Sequence, residues 1–406
     1  MSTWRHGAGR RPPAGDMTQP GSGTRPDDAR RHNRAVLLRR LHVEGPCTRA
    51  TLAGELGLNR STIKAVVDGL AEAGVVTEAV PARRSGAGRP SLLVLPDPQA
   101  AVVLAVDIRV EQVALAMVGI GGQILGRHSW NLHRTTRLPG EVITHLAESA
   151  ALLRDELGVA EQAVGVSVPG VVRRSDGFVH EAPNLGWRDV DLGTRLAAVL
   201  ARPVQVANDA EAGALAEHLR GIGRDVADMV YLSADVGVGG GVVSGGTPLR
   251  GTGGYVGELG HLMVRPDGRE CFCGSHGCWE TEVGEPALCR ALGLPEDTPR
   301  GVLVAELRDL AAVPGRADRL LADYAGWMTA GLVTVVNMLA PELVVLGDLF
   351  GALPPSVVER VGSELRRRSL VSRATGGTRL AVSPLGRDGA LVGAAEIAFE
   401  PVLAAV

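Results

Sequence analysis

Gly260-His-Leu-Met-Val-Arg-Pro-Asp-Gly-Arg-Glu-Cys-Phe-Cys-Gly-Ser-His-Gly-Cys-Trp-Glu280 is the stretch on which the reading of this chain turns. It brings His261, Cys271, Cys273 and Cys278, one imidazole and three soft sulfurs, within eighteen residues. That donor set suits a closed tetrahedral zinc site. Gly268, Gly274 and Gly277 let the backbone turn between the unevenly spaced ligands, and the loop has little apolar material of its own. Its folding energy is therefore expected to come largely from Zn2+. The alternative, unrelated thiols beside a histidine, sits poorly with three of the chain's five cysteines falling in eight residues. Glu258 before the loop and Glu280 at its end add carboxylates, which a rigid metal loop would hold ready to grip hydroxyl groups.

Outward from this loop, the 406 residues are long for one core, and two or three domains are expected. No apolar run is long enough to span a bilayer. The basic N-terminus is followed by no apolar stretch, so a secretory signal is not expected. An odd number of cysteines, mostly in a metal-like cluster, points to a reducing cytoplasm. The net charge of −3 conceals an asymmetry. Residues 1–96 carry 15 Lys+Arg against 8 Asp+Glu, whereas the remainder carries 27 against 37. A basic front on an acidic body implies one part that meets nucleic acid and one that does not; a solvated basic face is the competing reading.

Residues 1–28, rich in Gly, Pro and Arg and without periodicity, read as a disordered arm. A DNA-binding domain is expected over 29–96. Ala35, Leu37, Leu38 and Leu41 mark a helical stripe that Gly45-Pro46 stops. Thr48 caps a second helix through Leu56, with Leu52, Ala53 and Leu56 inward. Gly57 makes the turn, and Asn59 or Ser61 caps a third helix with Ile63, Val66, Val67 and Leu70 buried, ending at Gly74. This is the helix-turn-helix pattern, the third helix being offered to a major groove. Arg60, Ser61, Thr62 and Lys64 lie at its start, where base edges and phosphates are reached. Val75, Val76 and Val80 then read as a strand, and Leu92–Leu95 as its partner. Between them Arg83, Arg84 and Arg89 stud a glycine-rich wing tip. A small helical domain used for protein contacts is the competing reading. Pro96-Asp97-Pro98 forms a stiff linker.

The body alternates strands and helices. Strands are expected over Val102–Val106, Val113–Val118, about Gln123–His128, Ala163–Val168, Val204–Ala207, Met229–Ser233 and Leu343–Leu346, with helices over 140–157, 317–340 and Val392–Phe399. Asp235-Val-Gly-Val-Gly-Gly-Gly forms a hairpin turn. Hairpin strands followed by helices, twice over, indicate a duplicated α/β architecture with a cleft between lobes. The first lobe spans 99–207, completed by a C-terminal helix within 385–406. The second spans 208–384 and carries the loop 261–278. Asn208-Asp209, closing a buried strand, fits equally a general base for a hydroxyl group and a helix N-cap.

The strand-Asp235-Val-Gly-Val-Gly-Gly-Gly segment, Gly251-Thr-Gly-Gly-Tyr-Val-Gly-Glu-Leu-Gly-His261 and the Cys-x-Cys-Gly-x-x-Gly-Cys run together resemble the ROK family (repressors, open reading frames and sugar kinases) over about residues 30–400. The resemblance implies a two-lobed actin/hexokinase-like (RNase H-like) fold, preceded in the family's regulators by a winged helix-turn-helix. It implies zinc on His261, Cys271, Cys273 and Cys278. It implies sugar hydroxyls on Gly170, Asn208, Asp209, Glu258, His261 and Glu280, with Asn184-Leu-Gly-Trp187 nearby, and it puts the kinases' base at Asp209.

The departures from the family's kinases bear on activity. Where those enzymes continue from the first aspartate into a Gly-Gly-Thr phosphate turn, Asp107 is followed by Ile108-Arg109-Val110-Glu111. A bulky Arg replaces a Gly and Glu111 adds negative charge, although Arg109 binding phosphate directly is a competing reading. The second phosphate loop opens Ala234-Asp235, and a later one reads Gly347-Asp348 instead of paired glycines. The expectation is a sugar-responsive regulator of carbohydrate-utilisation genes, in the main a repressor and not an enzyme, binding an operator as a homodimer or homotetramer. The alternative is an active sugar kinase with an added DNA-binding domain.

Overall fold

The computed structural model describes residues 26–80, 92–133 and 137–405. The expected arm over 1–25 and the wing-tip arginines Arg83, Arg84 and Arg89 lie outside these residues. Residues 26–28 do not belong to an arm: they open helix α1 (Pro26–Glu44), which buries Leu37, Leu38 and Leu41. Strand β1 (Cys47–Thr48) leads into α2 (Arg49–Leu56), whose first turn is capped by Thr48 Oγ1 accepting from Thr51 N. Gly57, in the left-handed region at φ 65°, turns the chain toward α3 (Arg60–Glu72). Asn59, of the two candidates, is the α3 cap, accepting from the N–H of Thr62 at 2.8 Å. Ser61 instead donates to the Asn59 side chain. Strands β2 (Val76–Ala79) and β3 (Leu93–Pro96) pair antiparallel, and β1 adds to the far edge of β3. Val80, expected in the strand, lies beyond its end and is exposed.

In the first lobe β4 (Val102–Ile108), β5 (Gln112–Gly119) and β6 (Gln123–Asn131) form an antiparallel meander. After α4 (Pro139–Leu157), β7 (Ala163–Val168) pairs parallel to β4. Three short strands, β8 (Val171–Arg173), β9 (Phe178–Ala182) and β10 (Trp187–Asp191), make a separate small sheet. Helix α5 (Leu192–Leu200) returns the chain to β11 (Val204–Asn208), which pairs parallel to β7. Helix α6 (Asp209–Arg220) follows directly.

The second lobe repeats the plan. β12 (Met229–Ala234), β13 (Val238–Ser244) and β14 (Thr247–Pro248) are antiparallel neighbours. The metal loop then leads to α7 (Trp279–Val283), α8 (Glu285–Leu292), α9 (Arg300–Ala311), α10 (Arg316–Leu320) and α11 (Ala322–Leu339). β15 (Leu343–Asp348) pairs parallel to β12. After α12 (Pro355–Arg368) and α13 (Leu370–Ala374), β16 (Arg379–Val382) pairs parallel to β15. The sheet orders β11-β7-β4-β5-β6 and β14-β13-β12-β15-β16 match strand for strand, a meander on one side of the central strand and parallel strands on the other. The single helix expected over 317–340 is broken at Leu321, which caps α11 without helical geometry.

Helix α14 (Gly389–Ala405) returns to pack on β4, β7 and α6. Its approach is possible because Gly393 carries no side chain: a Cβ there would stand 1.9 Å from the Ala212 carbonyl oxygen. α6 packs on β12 and β13 as well as on α14, so it is shared between the lobes and does not fall cleanly within 208–384. A single buried cluster runs from Leu37, Leu41, Leu52 and Val67 through Val94 and Ala101 to Ala394 and Phe399. The N-terminal helices thus share a core with the body.

Candidate sugar-and-metal site in the cleft

A cavity of about 290 Å³ opens where β7, β9, β11, β12 and the metal loop converge. Gly170, Asn208, Asp209, Glu258, His261 and Glu280, drawn from both lobes, all line it, with Asn184 and Phe272 on its wall. Asn208 caps α6: its Oδ1 accepts from Ala210 N at 2.8 Å and Glu211 N at 3.2 Å, while its Nδ2 donates to Gly170 O at 3.0 Å. The cap reading therefore belongs to Asn208; Asp209, the first residue of α6, accepts from Ala210 N on Oδ1 at 2.9 Å and leaves its other oxygen for the cleft. Burial and the nearby carboxylates of Asp235 and Asp107 push Asp209 up to about 7. A carboxylate poised there accepts a hydroxyl proton readily.

The metal loop is built on short backbone bonds. Cys271 N donates to Ser275 O at 2.8 Å, Gly277 N to Arg269 O at 2.8 Å and Trp279 N to Leu262 O at 2.7 Å. Gly277 sits at φ 68°, and a Cβ on it would come within 1.5 Å of the Arg265 carbonyl oxygen. Trp279, fully buried, donates its indole N–H to Trp327 O and anchors the loop to α11. His261, Cys271, Cys273 and Cys278 have ligand atoms within 4.8 Å of one another. Cys273 Sγ and Cys278 Sγ are 3.7 Å apart, and Cys271 Sγ is 3.6 Å from His261 Nδ1. The edges of a zinc tetrahedron with Zn–S near 2.3 Å and Zn–N near 2.0 Å are about 3.8 Å and 3.5 Å, so the donors fit the ion. Burial pushes the Cys271 and Cys278 thiols up, and a bound cation would be needed to hold them as thiolates. Nδ1 faces the thiols whereas Nε2 lies 3.8 Å from Glu258. A metal on Nδ1 would leave Nε2–H as a donor toward the cleft.

On the other side of Asp209 the space is nearly filled. A cavity of about 10 Å³ remains among Asp107, Arg109, Asp209, Tyr231, Ser233, Asp235 and Asp348, room for at most one water. Two guanidinium groups occupy this region. Arg109 Nε meets Asp107 at 2.5 Å, its Nη1 meets Asp348 across the lobes at 3.5 Å, and its Nη2 donates to Arg387 O. Arg300, buried, binds Asp235 at 2.5 Å, Glu285 at 2.8 Å and Asp348 at 3.2 Å. Burial opposes the Arg109 charge, but the facing carboxylates outweigh it and raise its pKa. Asp348 sits at φ 51° with ψ −125°, a backbone region that glycine favours. Sequence reasoning missed Arg300, which lies on a helix start far along the chain from every motif; only the fold brings it to Asp235. It also missed Phe272 and the small sheet that carries Glu181 into the cleft, whereas Asn184, in the turn after β9, lies where the family resemblance put it.

Residues 103–400 match the ROK family. The xylose repressor of Bacillus spizizenii is 26% identical over 373 residues, covering 91% of this chain and 96% of that protein. The glucokinase of Streptomyces coelicolor is 29% identical over 319 residues, covering 74% of this chain and 98% of the enzyme. Among solved structures, a ROK family transcriptional regulator, a homologue of the E. coli MLC protein, superposes with a TM-score of 0.73 at 24% identity, covering 93% of this chain and 97% of its own. A ROK glucokinase from Streptomyces griseus in complex with glucose and AMPPNP gives 0.62 at 28% identity, covering 74% of this chain and all of its own. With its duplicated lobes, its cleft and a family match over most of its length, the chain belongs to the ROK family.

Proposed function

We propose that this protein is a sugar-responsive DNA-binding transcriptional regulator, a repressor of carbohydrate-utilisation genes, whose cleft binds sugar but not ATP. One observation carries the reading: the space on either side of Asp209 is unequal. The sugar side offers about 290 Å³ lined by hydroxyl-matching groups, and the phosphate side about 10 Å³. Carboxylates from Asp107, Asp235, Glu285 and Asp348 outnumber the two arginines there and would repel a triphosphate. Arg109, spoken for by two aspartates and a carbonyl, is poorly placed to take phosphate itself.

In the cleft, the carboxylates of Asp209, Glu258 and Glu280 accept sugar hydroxyls, Asn208 and Gly170 fix the strand end beneath them, and His261 donates from Nε2. Zinc on His261, Cys271, Cys273 and Cys278 holds that imidazole rigid. The N-terminal unit acts as a winged helix-turn-helix. Arg60, Ser61 and Lys64 are exposed and Thr62 half-buried at the start of α3, and Arg83, Arg84 and Arg89 add basic charge to the segment between β2 and β3. Lys64 pairs with Asp68 at 2.5 Å and must release it to reach a phosphate. Support also comes from coverage: the xylose repressor accounts for 91% of this chain, whereas the glucokinase accounts for 74%. A homodimer or homotetramer in the cytoplasm would present paired third helices to a two-fold operator. No described helix is long and apolar enough to cross a membrane.

The test is operator binding by the purified protein with and without a monosaccharide panel. The reading expects one sugar to shift operator Kd by about 5–150-fold. No response to any sugar would overturn the sensor role.

A further inference from the structure

Helix α6 carries chemically distinct residues at its two ends. Asn208 and Asp209 lie in the cleft at its start. Arg220 lies about 18 Å away at 1.5 Å per residue, and there it meets the last turn of α1. Its Nη1 donates to His42 O at 2.7 Å and to Val43 O at 3.4 Å, and its Nε donates to Glu396 on α14 at 2.8 Å. Glu396 is buried and takes a second bond from His42 Nε2 at 3.0 Å. His42, 1% exposed, accepts the Gly121 N–H on Nδ1 at 2.8 Å, so Nε2 carries the proton given to Glu396. The Phe399 ring packs 4.3 Å from the His42 ring.

This cluster ties together four parts of the chain: α1, the turn between β5 and β6, α6 and α14. The shared apolar core alone would hold the N-terminal helices to the body. The fan of directional bonds does more, because it fixes the angle and register of α1 against α6. Buried charge pairs tolerate displacement badly, since each partner loses its counterpart in a low-dielectric setting. α14 reaches the cleft as well: Ala390 in its first turn lines the small cavity beside Asp107 and Arg109, six residues before Glu396.

We infer that α6 and α14 are the mechanical link between the cleft and the N-terminal helices, with His42, Arg220 and Glu396 as its joint. The inference rests on the sugar-sensor reading for the stimulus at the cleft end. A ligand that prefers one setting of Asn208 and Asp209 moves the start of α6. The packed helix carries that shift to Arg220, which repositions the carbonyl end of α1.

The test uses the full chain with Arg220→Gln and Glu396→Gln, and with Arg224→Gln as a control that breaks only the exposed Arg224–Glu44 pair. The probe is whichever of D-glucose, D-xylose and N-acetylglucosamine binds the wild type by calorimetry. The two joint variants are expected to keep sugar Kd within threefold while the sugar-induced change in operator Kd falls below threefold. The control is expected to keep the wild-type response. Without any ligand, amides of residues 41–45 are expected to exchange at least tenfold faster in the joint variants, measured by hydrogen exchange. A full sugar response in both joint variants, or unchanged exchange at 41–45, would overturn the joint. If the wild type itself ignores every sugar, the sensor reading falls, and the ligand-free exchange alone decides the joint.

Discussion

Asp209 concentrates the chemistry of the cleft. Its carboxyl, pushed up to about 7 by burial and by Asp235 and Asp107, is largely protonated below neutrality. A protonated carboxyl accepts a sugar hydroxyl less well, so lowering the pH through 7 removes the better acceptor. Sugar affinity is therefore expected to rise with pH through about 7 and level off above, with a limiting slope of about tenfold per unit. Calorimetric titration from pH 5.5 to 8.5 checks this, and Asp209→Asn should flatten the profile. The metal ligands make a separate expectation. With zinc on the four proposed donors, Cys273, the exposed member of the set, would close the tetrahedron, so Cys273→Ser is expected to lower bound zinc well below one per chain and to depress Tm by about 5–10 °C. Metal analysis and calorimetry read the two effects, and an unchanged Tm with full zinc would contradict the assigned set. The clustering of His261, Cys271, Cys273 and Cys278 was legible in the sequence because they are close in the chain. Arg300 was not, because its partners Asp235, Glu285 and Asp348 come from the ends of separate elements that only the folded second lobe assembles.

Among the elements, those with local signals were read well. Thr48, Gly57 and Asn59 punctuate the N-terminal helices as their side-chain and backbone chemistry requires, and the Ile63, Val66, Val67, Leu70 stripe is buried as its 3.6-residue period implied. The long hydrophobic strands of both lobes followed from their unbroken apolar runs. β8, β9, β10 and β16 were missed because each is only three to five residues long, with no period to detect. The placement of α6 and α14 against each other was likewise invisible. It depends on Gly393 lying opposite Ala212, a pairing across 181 residues that carries no local mark. Because a Cβ there would stand 1.9 Å from a carbonyl oxygen, Gly393→Ala is expected to force the helices apart and cost about 1–3 kcal/mol. Urea unfolding measures it; a variant as stable as the parent would mean that the two helices pack less closely than described.

For the molecule as a whole, the duplicated sheet order sets two lobes around a cleft, and the two sides of that cleft have been treated differently. One side keeps open space and hydroxyl acceptors. The other is closed by Arg109, which bridges the lobes to Asp348, and by Arg300 behind it. The residues that depart from the kinase pattern in the sequence, Arg109, Asp235 and Asp348, all lie on this second side. How the space was filled became visible only when residues from four segments met. The most direct measurement is ATP consumption by the purified, zinc-loaded protein in a coupled assay with glucose, N-acetylglucosamine, mannose, fructose and xylose. No turnover above the protein-free background is expected with any of them. Sustained sugar-dependent ATP hydrolysis would contradict it.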